Sequence, residues 1–313
     1  MTSNPVFRGV ATALITPMNS NGIDYDAFGR VIDWQIEQGI NALVIVGTTG
    51  EGATLPDSEH RQALEFAVNR IAKRVPMIAA TGSNDTSYAI SLTKFATEIG
   101  ADAALTVTPY YNKATQNGLV KMYTTIADAS GIPLILYNVP SRTGIGIEPE
   151  TYAKLAEHPM IRGIKEANSD ISKIAKTAHL VGDKLDIYSG NDDQVIPIMS
   201  LGGIGVISVL SNIMPKQTVE MCDKFFAGDL AGAAKLQLDY LPLINALFSE
   251  VNPIPVKAAM AAMGWCENYV RLPLTPMEES HWLKLEALMK EQNLLKESHW
   301  HKVEAIMKEQ NLL

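Results

Sequence analysis

Cysteine is nearly missing from this chain: Cys222 and Cys266 are the only two in 313 residues, and they stand far apart. That excludes a disulfide framework and fits a reducing compartment. Positive charge is also short, with 26 Lys and Arg against 34 Asp and Glu, a net charge of −8. An acidic surface keeps a protein soluble and opposes non-specific binding to nucleic acid, so no nucleic-acid partner is expected. Charged residues of both signs make up only 19% of the chain while 47% is hydrophobic, which excludes a disordered chain. No Gly-x-Gly-x-x-Gly follows any predicted strand, which weakens a dinucleotide-binding fold. Residues 1–7 hold no basic stretch followed by an apolar run, so no signal peptide is expected and the location predicted is cytoplasmic. Charge is absent altogether over 195–215, about the length of a membrane span. Gly202, Gly203 and Gly205 interrupt that run. It reads as a short helix, a glycine turn and a buried strand over 205–210, and no membrane partner is expected.

What the chain does have is alternation. Apolar, β-prone runs at 10–18, 42–46, 77–80, 103–108, 133–136, 161–167, 185–188 and 205–210 read as strands. Between them, helical spacing falls at 24–38, from 56 onward with Asp57 or Ser58 as cap, at 86–99, 118–129, 149–156, 171–180 and 193–201. The strands are continuous apolar runs, as in parallel sheets covered on both faces. Eight strand–helix units predict an α/β fold, a (β/α)8 TIM barrel, over residues 1–228. After about residue 227 the pattern is helical only, at 230–246, 253–263 and 278–295, so a C-terminal helical domain is expected over 229–295. The last stretch is a near-copy: residues 297–313 repeat 279–295, differing at Leu283/His301, Leu285/Val303 and Leu288/Ile306. We read 296–313 as a duplicated helical tail and assign it no function.

In such barrels chemistry sits at the carboxyl ends of the strands. The sequence places Thr48 and Thr49 after the second strand, inside a glycine-bracketed turn whose amides suit an anion. The fourth strand delivers Tyr110 and Tyr111, and the fifth Tyr137, with Arg142 in the loop beyond. The sixth delivers Lys165, within Ile161-Arg162-Gly163-Ile164-Lys165-Glu166-Ala167. Taken singly each has an ordinary reading: a tight turn, packing tyrosines, a solvated arginine, a strand-end lysine reaching water or pairing with Glu166. Together they form an inventory. A desolvated lysine loses its charge more easily and becomes a nucleophile toward carbonyl groups. A phenol one strand away can shuttle protons, amides and hydroxyls can hold a carboxylate, and an arginine can grip a second one. That suits a 2-oxo acid reacting through an imine and enamine. Of the six histidines none falls at a predicted strand end, so a metal-dependent aldolase lacks ligands and no metal is expected.

The segments Gly47-Thr48-Thr49-Gly50-Glu51, Pro109-Tyr110-Tyr111-Asn112, Tyr137-Asn138-Val139-Pro140-Ser141-Arg142-Thr143 and Gly163-Ile164-Lys165-Glu166-Ala167 resemble the dihydrodipicolinate synthase / N-acetylneuraminate lyase family of class I aldolases. The resemblance covers roughly residues 7–295. It implies that Lys165 condenses with pyruvate and that Tyr137, Thr48 and Tyr111 relay protons, Tyr111 reaching into a neighbouring subunit's site. It further implies that Thr49 holds the pyruvate carboxylate, that Arg142 receives L-aspartate 4-semialdehyde, and that Gly190 and Ile207 line the pocket. No cofactor is implied beyond the covalent imine, and a homotetramer built as a dimer of dimers is. The product would lead toward lysine and diaminopimelate. Members that cleave sialic acid tend to carry Gly-Ser-Thr-Gly-Glu and to lack the arginine matching Arg142; both differences favour a synthase over a lyase or sugar-acid aldolase. A non-catalytic sensor that keeps the pocket is the remaining alternative. His60, Asn84 and Tyr110 match a lysine effector pocket between subunits. Asp57 and Tyr88 stand where inhibited members carry a histidine and a glutamate, so strong lysine feedback is not expected.

Overall fold

The structure, a computed structural model, describes residues 5–295. Eight parallel strands close into a barrel. They are β1 (Gly9–Ala13), β2 (Ala42–Ile45), β3 (Met77–Ala80), β4 (Ala103–Val107), β5 (Leu134–Asn138), β6 (Ile161–Glu166), β7 (Asp186–Ser189) and β8 (Gly205–Ser208). Each pairs with its sequence neighbour and β8 returns to β1, with Gly9 opposite Gly205. The barrel expectation is borne out. The first strand is shorter than its apolar run: beyond Ala13 the chain turns, and Met18–Asn19 pairs with Gly22–Ile23 as a small antiparallel ribbon.

The helices α1 (Tyr25–Glu37), α2 (Asp57–Ile71), α3 (Thr86–Glu98), α4 (Gln116–Asp128), α5 (Pro149–Leu155), α6 (Ile171–Val181), α7 (Val195–Ser200) and α8 (Pro215–Phe226) follow the strands. Side-chain oxygens of Asp24, Asp85, Thr115 and Asp170 accept first-turn amides, which fixes where α1, α3, α4 and α6 begin. α2 departs from expectation: Pro56 stands at its cap with no side-chain bond, and Asp57 is already helical. Its carboxylate is instead taken by Arg61, one helical turn on, at 2.9 and 3.0 Å. The uncharged run 195–215 is divided among α7, β8 and a 3-10 turn, and no helix of the described residues is long and apolar enough to cross a membrane.

Two apolar layers result. The larger packs helices against the outside of the strands. The smaller fills the barrel: Ala11, Ala13, Ala42 and Ala103 on one side, Ile135, Tyr137 and Tyr188 on the other. Gly205 permits closure, since a Cβ there would fall 1.8 Å from the Gly9 carbonyl oxygen. After α8 come α9 (Leu230–Asp239), α10 (Leu241–Ala246), α11 (Ile254–Ala262) and α12 (Glu279–Glu291), so the run 230–246 is two helices that meet at Tyr240. Their buried residues Leu243, Ile244, Val256, Met260, Leu285 and Met289 are continuous with the outer layer of the barrel. The duplicated segment 296–313 lies outside the described residues.

Candidate active site

The parallel register sets the centre of the site. Tyr137 of β5, Lys165 of β6 and Tyr188 of β7 are consecutive partners across the sheet, so all three project into the barrel at one level. Lys165 is 5% exposed. Its Nζ lies 4.2 Å from the centroid of the Tyr137 ring, over its face, where the ring quadrupole attracts a cation. Among the described residues no carboxylate stands within ion-pair distance of that nitrogen. Glu166, the natural candidate by sequence, points to the opposite face of the strand. There its carboxylate accepts from the Asn138 amide at 2.9 and 3.2 Å, the Tyr152 hydroxyl at 3.0 Å and the Asn168 amide at 3.0 Å. Burial pushes the Glu166 carboxyl up, and those donors offset part of the rise. Because Asn138 and Glu166 follow Tyr137 and Lys165 directly, this network ties β5 to β6 behind those two side chains. Asp192 feels the Lys165 charge, but one of its oxygens is committed to the Val209 and Leu210 amides at 2.9 and 3.0 Å.

The loop after β2 is the second component. Val46 has φ +52 and Glu51 φ +56, a conformation that costs a branched residue most. The Glu51 and Gly52 amides close the turn on the Thr48 and Gly47 carbonyls at 3.1 Å each. The amides of Thr48 and Thr49 meet no backbone carbonyl among the described residues. The strained turn is held from the far end of the chain. Lys257 of α11, fully buried, forms an ion pair with Glu51. The other Glu51 oxygen accepts the Arg271 amide at 3.0 Å, and the Arg271 guanidinium grips Glu59 at 2.5 and 2.8 Å. Asn252, also from the C-terminal part, donates its amide to the Thr49 hydroxyl at 3.0 Å.

A cavity of about 460 Å³ opens above these elements; its wall includes Thr48, His60, Tyr110, Tyr137, Arg142 and Asn252. Arg142, on the single helical turn Pro140–Thr143, donates to the Asn252 carbonyl oxygen at 3.0 Å. Lys165 touches this wall through Tyr137, and Thr49 through Asn252. Gly190 donates its amide to the Glu166 carbonyl at 2.7 Å, and a Cβ there would stand 2.7 Å from Ala167 Cβ, so only glycine lets the two loops meet. Ile207 is fully buried in the inner layer with Tyr137. His60 is buried, with Nε2 3.0 Å from the Ala80 carbonyl, which requires the proton on that nitrogen; burial holds its pKa below the usual 6.5. Asn84 is half-buried off the wall, its carbonyl accepting from the Asn112 side chain at 2.9 Å. Tyr111 is not brought to the cavity at all: it is 93% exposed, with φ +70.

Sequence reasoning missed Asn252, Lys257 and Arg271. Lys257 carried a signal, as the one charge in the helix IPVKAAMAA. Asn252 carried none beyond standing before a proline.

An amine kept dry over a tyrosine ring, at the carboxyl end of a barrel strand and beside a cavity with an arginine at its mouth, defines an imine-forming lyase of the class I aldolase type. The chain belongs to the dihydrodipicolinate synthetase family, whose model matches residues 6–292. It is 48% identical to the 4-hydroxy-tetrahydrodipicolinate synthase of Thermoanaerobacter sp. (strain X514), over 93% of this chain and 99% of that one. It is 51% identical to the enzyme of the same name from Lachnoclostridium phytofermentans, over 93% and 99%. Among solved structures it is similar to dihydrodipicolinate synthase from Thermotoga maritima, with a TM-score of 0.91 at 41% identity, covering 93% of this chain and 100% of that one. A monomeric dihydrodipicolinate synthase variant is similar too, at 0.91 and 42%, covering 93% and 98%.

Proposed function

We propose that this protein condenses pyruvate with L-aspartate 4-semialdehyde to 4-hydroxy-tetrahydrodipicolinate, on the route to lysine and diaminopimelate in the cytoplasm. The observation that carries the reading is Lys165, 5% exposed and facing the Tyr137 ring with no carboxylate partner among the described residues. The Lys165 amine attacks the ketone carbon of pyruvate and water leaves, forming the imine. Loss of a methyl proton gives the enamine, whose carbon attacks the aldehyde of the second substrate. The amino group of that substrate then attacks the imine carbon, closing the ring and returning Lys165 as a free amine. Tyr137, Thr48 and Tyr111 relay the protons. Thr49 and the amides of its turn hold the pyruvate carboxylate, and Arg142 takes the carboxylate of the semialdehyde as a bidentate pair. Gly190 and Ile207, which lie off the cavity wall, contribute backbone and apolar surface at the Lys165 end of the site. The scheme balances without a metal or organic cofactor.

The assembly that goes with this reading is a homotetramer, a dimer of dimers, in which Tyr111 completes the relay of a neighbouring subunit. Its 93% exposure and left-handed backbone support that role, because the side chain is held away from its own cavity. The absence of strong lysine feedback belongs to the same reading. His60, Asn84 and Tyr110 form part of an effector pocket, but Asp57 is taken by Arg61 and Tyr88, so no free carboxylate is offered to an incoming ammonium. Burial and Asp57 raise the Tyr88 phenol to about 12, which keeps it a neutral donor. Borohydride reduction in the presence of pyruvate, followed by peptide mapping, tests the core claim. An adduct on Lys165 together with turnover of the semialdehyde is the outcome expected; no adduct, or an adduct without turnover, overturns it.

A further inference from the structure

Asn252 lies in the segment between α10 and α11, far in sequence from every barrel strand, yet it touches both substrate anchors. Its Nδ2 donates to the Thr49 hydroxyl at 3.0 Å, and its backbone carbonyl accepts from Arg142 at 3.0 Å. The residue is 6% exposed and forms part of the cavity wall. Its Oδ1 is buried without a hydrogen-bond partner among the described residues. An unpaired buried acceptor costs stability, so a purely structural account leaves the amide as a liability where it stands.

We propose that Asn252 is a positioning residue that sets the Thr49 hydroxyl for the first substrate's carboxylate and, through its carbonyl, the Arg142 guanidinium for the second. The proposal rests on the roles given above to Thr49 and Arg142. A threonine hydroxyl rotates freely about its Cβ–Oγ bond, and one that accepts from Asn252 is left with its own hydrogen to donate. That hydrogen is what a carboxylate requires. Arg142, exposed on a single helical turn, has no other fixed acceptor among its described contacts, so the Asn252 carbonyl decides which way its fork faces. Both anchors thereby take their orientation from one residue of the helical C-terminal part. The side chain reaches only Thr49, so its removal acts first on the pyruvate end.

The test is a cycle of Asn252→Ala, Thr49→Val and the double variant, read by the pyruvate concentration that half-saturates borohydride trapping on Lys165 and by the KM of each substrate. Asn252→Ala is expected to raise the half-saturating pyruvate concentration about tenfold, to raise the semialdehyde KM less, and to add nothing in the Thr49→Val background. Unchanged half-saturation, or effects of the two substitutions that multiply, overturns the proposal. If Asn252→Ala does not fold, Asn252→Ser, which keeps a donor of smaller reach, replaces it under the same criteria. A wild type that forms no adduct overturns the imine reading itself, which separates that failure from this one.

Discussion

Among the described residues two lysines, Lys165 and Lys257, are buried, and they are buried differently. Lys257, 0% exposed, pairs with Glu51, 4% exposed. Lys165, 5% exposed, faces an aromatic ring and no carboxylate among the described residues. Burial pushes the Lys257 ammonium down and Glu51 offsets part of the shift, while the contact between the two side chains ties α11 to the Thr48–Thr49 turn. The difference teaches what separates a structural cation from a reactive one. A partner carboxylate keeps the nitrogen occupied, whereas a ring face and an adjoining cavity leave it accessible to a carbonyl compound.

The sharpest way to break this comparison is to remove each lysine in turn. Lys165→Ala is expected to lower turnover by about a million-fold, as deletion of a covalent nucleophile does, and to abolish borohydride-trapped pyruvate. Its melting temperature should hold or rise, because a buried amine with no carboxylate partner among the described residues has gone; a large fall would mean that Lys165 is a structural element after all. Lys257→Met should do the reverse. It strands the Glu51 carboxylate in the interior at a cost of about 3–5 kcal/mol, a large share of the roughly 5–15 kcal/mol that holds a domain together. Urea denaturation measures the loss. Adding Glu51→Gln should restore much of it, since the stranded charge is removed with its partner. A double variant as unstable as Lys257→Met alone would refute the account of the pair.

The same contrast marks how far the sequence could be read. β6 was legible because Lys165 interrupts an apolar strand and stands at its carboxyl end, where barrels carry chemistry. Most of the other strands were legible because they are largely apolar runs, buried on both faces. Lys257 interrupts an apolar segment just as plainly, but a helix has no reactive end to make its lone charge conspicuous. Its partner lies 206 positions away. No local pattern encodes such a contact, and the same holds for Asn252 on Thr49 and for Arg271 on Glu59. The cap of α2 failed for a local reason: Asp57 reads as a cap in one dimension, but Pro56 takes that place and the carboxylate turns to Arg61.

His60 sharpens the comparison from a third side, as a titratable group that is buried with neither carboxylate pairing nor catalysis. Its folded pKa lies below the usual 6.5, chiefly through burial, so the unfolded chain takes up the proton first as pH falls. Stability from this group is therefore complete above about pH 6.5 and is lost on acidification through the window below it. The slope is at most about 1.4 kcal/mol per pH unit for one proton. Denaturation midpoints of His60→Gln, followed from pH 7.5 to 5, should decline less than those of the wild type. An equal decline would assign the acid sensitivity to other groups, Glu166 excepted, whose raised carboxyl pKa favours the folded state at low pH.

The smallest effect is expected where an ion pair is not buried. Asp33 of α1 receives Arg70 and Arg74 of α2 and the turn after it, the latter at 2.6 Å, with side chains 26%, 47% and 41% exposed. Partial burial works to raise the Asp33 carboxyl, but the bonds from Arg74 and Arg70 outweigh it and hold it below the usual range. A depressed carboxyl adds stability above its unfolded pKa and loses it as pH falls through the folded value. Water screens this cluster, and ordering three side chains offsets much of the Coulomb gain. Asp33→Asn should therefore cost less than about 1 kcal/mol at pH 7, and the cost should shrink further in 1 M salt. Lys257→Met measured in the same salt should lose as much as before, because ions do not reach the Glu51 pocket. If salt rescued both variants equally, burial would not be what distinguishes the inner pair from the outer one, and the reading of Lys165 as a cation set apart by its surroundings would lose its control.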